Sequence, residues 1–506
     1  MMINPIMINF INKGSFGSIY EDNNNNIYKV TNLICNTDNN FILERNNIIE
    51  VIFLNFFKNI NKVNDNQQNN VNDNDNEYII QTKESFIITK SNFKNYFIFS
   101  NNRVWESESL NYLIINKLNK YNKIVLPIIY DFKDIINKFK KYSEELIIAL
   151  AKLHQNGFIH GDISSANIMM KNDQLILIDL GAIKSMYLND YLNTCTITSR
   201  SPEDINYNTN KSLAYIANGV KSDIWSIGIF LSEIILGYSI IIKLYNEINN
   251  RNSNSMYVEL KMLKFYNSIN FIEVEALFKN EIAKKYININ NNNKDDYIEL
   301  IRLCKIVEKI LVINPNNRID SIEKIYEDIF NKKFEYNFIK KYSYNYDFLL
   351  NENFYNFRKR YYSNVIQRCL DISDVLVIPL LIDLLDRFFN ELIKNNIDFY
   401  NLTHLQLYNL TRSFIFLASS LIVTDNYDYC LITKIKSHNV HDIQTTIIFV
   451  LNTLDYDIYR PFTFSQSLQN NDPKNVLQYI YNNIILYNMI NITPEYYVNE
   501  INKFFS

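Results

Sequence analysis

Glycine and proline are scarce, eight of each in 506 residues, and tryptophan occurs only twice. Collagen-like, proline-rich and glycine-linker architectures need those residues in bulk, so all are excluded. The five cysteines (Cys35, Cys195, Cys304, Cys369, Cys430) are scattered, with no CxxC pair and no nearby histidine at metal-ligand spacing. Neither a disulfide framework nor a zinc site is written in that pattern, which predicts a reduced, intracellular and cytoplasmic chain. An uninterrupted apolar run of roughly 18 residues, the minimum for a membrane helix, is also missing. The apolar start MMINPIMINF lacks the basic flank of a secretory leader. With 51 basic and 54 acidic residues the net charge is -3, so no long-range field draws nucleic acid or an anionic membrane, and neither is expected as a partner.

Asparagine, isoleucine and lysine abound instead, with 37 tyrosines and 33 phenylalanines. These residues share A/T-rich codons, so the bias reports a genome, of the kind some protists and large DNA viruses carry, rather than a chemistry. At roughly 100 to 200 residues per domain the chain has room for two to four cores.

Residues 7–30 alternate apolar and polar around an Asn run at 23–26, which predicts a hairpin. FILERNNIIEVIFLNFFKNI (41–60) repeats Ile42, Leu43, Ile49, Ile52, Phe53 and Phe56 near period 3.6 and predicts a helix. VNDNQQNNVNDNDNE (63–77) has almost nothing to bury and predicts a mobile insertion. Strand-like text runs to IVLPII (124–129), and SEELIIALAKLHQNG predicts a helix opened by Ser143 with Glu145 and closed at Gly157. Strand-rich text followed by helical text implies two lobes of an α+β fold. Loops are expected at 249–255 and 288–296, and the last helical signal of this region spans 314–330. After KKYSYNYDF a new set of helical stripes runs from about 345 to 495, so a domain boundary is placed there, between 7–332 and 345–495.

The stretch FIHGDISSANIMMKNDQLILIDLGAIKS (158–185) places Asp162 and Asp179 at the ends of short apolar strands, with Asn167 between them. An unpaired carboxylate there costs several kcal/mol. One task compensates all three groups: binding a divalent metal on a polyphosphate beside a catalytic acid. Hard Mg²⁺ takes oxygen ligands, which Asn167 and Asp179 supply, while Asp162 orients a hydroxyl and accepts its proton.

This stretch resembles the catalytic and metal loops of protein kinases, HRDxxxxN and DFG, here HGDISSAN and DLG. The resemblance continues in order along the chain. INKGSFGSIY is similar to the glycine loop that covers nucleotide phosphates, with Asn12 at the first glycine position. It implies Ile11, Gly14, Ser15, Phe16, Gly17 and Ile19 as nucleotide contacts. Lys29 falls where the strand lysine meets the α- and β-phosphates, and Glu50 where a helix glutamate pairs with it. Glu203 in SRSPE is expected to pair with Arg318 in NNRI, and Asp223 in SDIWSIG to be the buried aspartate of the helical lobe. Taken singly these signals are weak, since GSFG is most often a turn and a lysine at a strand end is usually a surface charge. Their shared order carries the assignment, which implies ATP and Mg²⁺ as cofactors and a protein substrate.

Three departures refine it. Gly161 replaces the HRD arginine, so loop phosphorylation loses its usual guanidinium partner and activity independent of it is expected. Tyr187, Tyr191 and Thr194 remain modifiable. Ser164 replaces the lysine that serine/threonine kinases carry, whereas Thr196, five before Ser201, sits where they set a hydroxyl against the catalytic aspartate. The resemblance therefore implies serine/threonine specificity. Leu180 for the DFG phenylalanine is a mild apolar change.

In the C-terminal third, VIPLLIDLLDRFF (377–389), LTHLQLYNLTRSFIFLASSLI (402–422) and IIFVLNTLDYDIYRPFTF (447–464) resemble cyclin-box helices. Ser420 stands at the lysine of that family's ASK string, and Arg358 is a candidate partner for Asp386. The resemblance implies an all-α bundle that presses on the Glu50 helix in cis, an intramolecular contact favoured by the tether. The alternatives are a pseudokinase scaffold whose helical part recruits a protein partner, and a small-molecule kinase with an HGD loop. SRSPE, DIWSIG and Arg318 weigh against the latter.

Overall fold

A computed structural model describes residues 8–14, 17–32, 34–37, 40–43, 48–57, 78–80, 82–89, 112–118, 122–123, 131–186, 196–204, 219–239, 241, 294–312, 314–338, 352–372, 377–422, 440–458 and 499. Two compact units emerge: Met1–Val71, Gln81–Lys120 and Lys340–Ser506 form one, and Asn72–Ile80 with Tyr121–Ile339 the other.

The first unit holds β1 (Ile8–Gly14), β2 (Gly17–Asp22), β3 (Ile27–Asn32), β6 (Thr82–Thr89) and β7 (Tyr112–Leu118) in an antiparallel sheet of order β1-β2-β3-β7-β6. The Asn-rich hairpin forms as expected. Asp22 accepts from the Asn24 and Asn26 N–H groups at 2.9 and 2.8 Å and from Tyr28 Oη at 2.9 Å, which satisfies the turn backbone locally.

The helix expected from Phe41 starts later. Asn40–Leu43 is a strand, β5, paired with β4 (Ile34–Thr37), and helix α1 is described over 48–57. Pairing with Ile34–Thr37 takes Ile42 and Leu43 out of the helical stripe. Within α1 every residue but Asn55 is buried.

In the second unit α2 (Phe132–His154) is the centre, touching α3 (Gly219–Leu236), α4 (Lys294–Ile310) and α5 (Ile322–Phe330). It begins well before Ser143. Asp131 is the N-cap, accepting from Lys133 N–H, and Ser143 sits mid-helix bonded to the Phe139 carbonyl at 2.5 Å. An N-terminal FKDIINKFKKY continues the same apolar period, which a local capping pattern could not reveal. Gln155–Gly157 turns the chain out, with Gly157 at φ 83°. Of the loop expected at 288–296, residues 294–296 are the first turn of α4, where Asp295 and Asp296 suit a helix N-terminus. Short strands β8 (Asn122–Lys123), β10 (Ile168–Lys171) and β11 (Gln174–Leu177) form one sheet, and β9 (Phe158–Ile159) pairs with β12 (Lys184–Ser185).

Among the described C-terminal residues the helices are α6 (Glu352–Ile372), α7 (Ile378–Lys394), α8 (His404–Ile422) and α9 (Val440–Thr453). Ala418 and Ser419 are fully buried, as small residues at a close helix contact should be. Arg358 does meet Asp386, through two 3.0 Å bonds, and Tyr362 Oη adds a third at 2.8 Å. The third helix ends at Thr453, before the proline exit. No described helix is long and apolar enough to cross a membrane. The 63–77 insertion, IVLPII (124–129) and the 249–255 loop lie outside the described residues.

Candidate active site

The β1–β2 hairpin closes Gly14 against Gly17. Gly17 has φ 151°, and a Cβ there would lie 2.5 Å from Thr31 Cγ2 and 2.8 Å from the Val30 carbonyl, so only glycine fits. Ser15 and Phe16 lie outside the described residues. Ile11 is 47% exposed on β1, and Ile19 on β2 pairs with Lys29 on β3. Lys29 Nζ donates to Glu50 Oε1 at 2.7 Å, and both side chains are buried. A buried ion pair of that geometry is a weak source of stability. It does fix the ammonium at one place on the sheet.

The second unit assembles the other half of the motif. β9 ends at His160-Gly161-Asp162, and a short 3₁₀ turn, Ser165–Asn167, leads into β10. Asn167 Nδ2 donates to the Asp162 carbonyl at 2.8 Å and to Asp162 Oδ2 at 2.9 Å. β11 then returns, the Ile178 N–H donates to the Asn167 carbonyl at 2.9 Å, and Asp179 follows in a left-handed conformation, φ 62°. Asp162 and Asn167 are thus brought together, and Asp179 follows Ile178, whose N–H meets the Asn167 carbonyl. With its amide nitrogen committed to Asp162, Asn167 keeps Oδ1 as its atom for a hard cation. Among the described residues no cluster of three or more His, Cys, Asp or Glu could hold a metal. The Asn167 and Asp179 oxygens nevertheless fit Mg²⁺, which keeps several waters and takes phosphate oxygens rather than a full protein cage.

Thr196 reaches Asp162 differently from expectation. Its backbone N–H, not its hydroxyl, donates to Asp162 Oδ1, while the hydroxyl donates to Ser164 Oγ at 3.4 Å. A serine in place of lysine leaves room and a hydroxyl acceptor there, so the two side chains pair with each other.

Asp223 is 1% exposed and organises the loop from below. It accepts from His160 N–H at 2.8 Å, Gly161 N–H at 2.9 Å and His154 Nε2 at 2.9 Å. Burial pushes its carboxyl up, but the His154 hydrogen bond, the two imidazoles and the Gly161 N–H outweigh that and hold it below the usual range. Gly161, at φ 77°, has the Ala182 carbonyl 2.8 Å from where a Cβ would stand. The substitution of the HRD arginine is therefore matched by a close approach of backbone. Glu203 and Arg318 pair at 2.6 and 3.0 Å, and Arg318 lies 5.2 Å over the Trp225 ring.

Sequence reasoning missed His154, although its place at the end of α2 and the rarity of histidine were signals. It also missed Lys221, which donates to the Arg318 and Ile319 carbonyls and to Asp320. Nothing local marks a lysine for that role.

The protein kinase domain family matches residues 57–333, more than half of the chain. The chain belongs to that family. The match begins after Glu50, so the roles of Lys29 and Glu50 rest on their geometry. Among individual proteins the chain is 31% identical over 111 residues to serine/threonine-protein kinase mph1 of Schizosaccharomyces pombe, covering 20% of this chain and 16% of that protein. It is 35% identical over 96 residues to serine/threonine-protein kinase Nek6 of Oryza sativa subsp. japonica, 19% of this chain and 17% of that one. It is 29% identical over 136 residues to the hormonally up-regulated neu tumor-associated kinase homolog of Xenopus tropicalis, 26% and 19% respectively. The chain thus spans less than a fifth of the length of these relatives.

Proposed function

We propose that the chain is an ATP- and Mg²⁺-dependent serine/threonine protein kinase. The observation that carries this reading is the arrangement of Asp162, whose two oxygens are held by Thr196 N–H and Asn167 Nδ2. A carboxylate so held is oriented to accept the proton of a substrate hydroxyl. Asn167 and Asp179 would hold Mg²⁺, which supplies charge neutralisation on the transferred phosphate. Lys29, fixed by Glu50, binds the other phosphates, and positioning with charge stabilisation supplies most of the rate. The serine/threonine class is supported by the names of the relatives and by Thr196. ATP-dependent phosphate incorporation by the full chain, abolished in Asp162→Asn, tests the proposal. Nucleotide binding without incorporation would favour the pseudokinase scaffold.

We further infer that the C-terminal helices, which resemble a cyclin box, hold α1 in place in cis. The burial of α1 on nearly all faces supports this, as does its membership of one compact unit with Lys340–Ser506. A ten-residue apolar segment has no reason to be buried all round unless something covers its outer face. Segment 1–340 should be slow alone and faster when 340–506 is added as a separate chain. Equal rates for 1–340 and the full chain would refute cis activation.

A further inference from the structure

The C-terminal helices contain a cavity that phosphoryl transfer does not use. It has a volume of about 530 Å³ and lies between α7, the turn after it, α8 and α9. That volume falls in the range of roughly 300–1,000 Å³ typical of small-molecule sites. Phe388, from α7, and Phe449, from α9, form part of an aromatic wall, their rings 5.6 Å apart. Leu405 at the mouth is 53% exposed.

Two polar features stand out against that apolar wall. Asn409 lines the cavity, is only 5% exposed, and its Oδ1 has no hydrogen-bond partner among the described residues. A buried acceptor left unmatched costs on the order of 1–3 kcal/mol, a deficit that a donor entering the cavity would remove. Among the described residues, the only charged ones lining the cavity are Asp398 and Asp442. Asp398 accepts from Tyr400 N–H at 3.0 Å and Asn401 Nδ2 at 2.9 Å, both neutral donors, so no described residue cancels its charge.

We propose that this cavity binds a small apolar molecule bearing a protonated amine. The aromatic wall takes the apolar body, Asn409 Oδ1 accepts a hydrogen bond from the ligand, and Asp398 and Asp442 set the preference for positive charge. Aromatic faces beside the amine add to that preference. A carboxylate-bearing ligand of the same shape meets two like charges and is rejected. The site is independent of the kinase reading, and its test reads ligand binding rather than phosphate incorporation.

The test uses the full chain and three probes of one shape: naphthylethylamine, naphthylethanol and naphthylacetate, followed by calorimetry and ligand-detected NMR. The amine is expected to bind saturably at one site, about ten-fold tighter than the alcohol, with the carboxylate weakest. Leu405→Trp, which fills the mouth from an exposed position, should abolish binding at unchanged helix content. Asp398→Asn with Asp442→Asn should bring the amine to the affinity of the alcohol, and Asn409→Leu should weaken both. Equal affinity of amine and carboxylate overturns the proposal, and so does undiminished binding to Leu405→Trp. Occupation by a basic apolar peptide that the amine fails to displace overturns it as well, by assigning the groove to a protein partner.

Discussion

Asp162 and Asp386 are both buried, 8% and 3% exposed, yet their surroundings differ in kind. Asp386 receives both arms of the Arg358 guanidinium and the Tyr362 hydroxyl. Burial disfavours the Arg358 cation, Asp386 more than restores it, and its pKa lies above the ordinary value. The Tyr362 phenol is pushed well up by burial and by the same carboxylate. That set is closed, and it ties α6 to α7. Asp162 has only neutral N–H donors among the described residues, one of them from a backbone segment distant in sequence. A carboxylate with a matched cation is structural. One that is oriented but uncompensated has a vacancy for chemistry.

The sharpest way to break this contrast is Asp162→Asn. Loss of a positioned base lowers rate by about 10²–10⁴-fold, so incorporation of labelled phosphate should fall by that factor while the melting temperature stays within a few degrees. A comparable loss of stability would make Asp162 structural after all.

Arg358→Ala should do the reverse. Leaving Asp386 buried and uncompensated costs about 3–5 kcal/mol, which chemical denaturation reads as a lowered midpoint for the C-terminal helices. Arg358→Met with Asp386→Leu should recover most of it, because two well-packed apolar groups need no pairing.

A third carboxylate sharpens the comparison through pH. Glu145, 8% exposed on α2, accepts the Leu175 N–H at 2.8 Å. Burial, reinforced by Asp173 and Glu144, pushes its pKa up to about 7 against the pull of that N–H and Lys141. A folded pKa above the unfolded value means that the folded state binds the extra proton. The stability this group contributes is present below its ordinary value of 4.5 and is lost as pH rises through about 7. By linkage the effect reaches about 3 kcal/mol. Glu145→Gln should flatten that slope in denaturation midpoints measured between pH 5 and 8, and an unchanged slope would place the titration elsewhere.

The smallest effect belongs to the exposed pair Lys138–Asp134, 3.1 Å apart on α2. Lys138→Ala should shift stability by no more than about 0.5 kcal/mol. A larger change would mean that partly exposed pairs in this chain behave like buried ones.

The sequence alone determined the order of the catalytic elements, the hairpin turn at Asp22 and the helices α7 and α8. Their signals are local: a turn residue bonding its own backbone, a period of apolar side chains, a motif of fixed spacing. Arg358 was legible only as a candidate partner for Asp386, a plain surface arginine being an equal reading until the fold paired them. Other features were settled only in three dimensions. That Phe41 begins no helix depends on strand pairing with Ile34–Thr37. That α2 starts at Phe132 rather than Ser143 depends on which apolar face finds a core. That Thr196 uses its amide on Asp162, and that His154 supports Asp223 across 69 residues, depend on the path of the chain between them. Local propensity is a weak prior of a few tenths of a kcal/mol per residue, whereas burial of side chains from distant segments is worth kilocalories, so packing decided wherever the two disagreed.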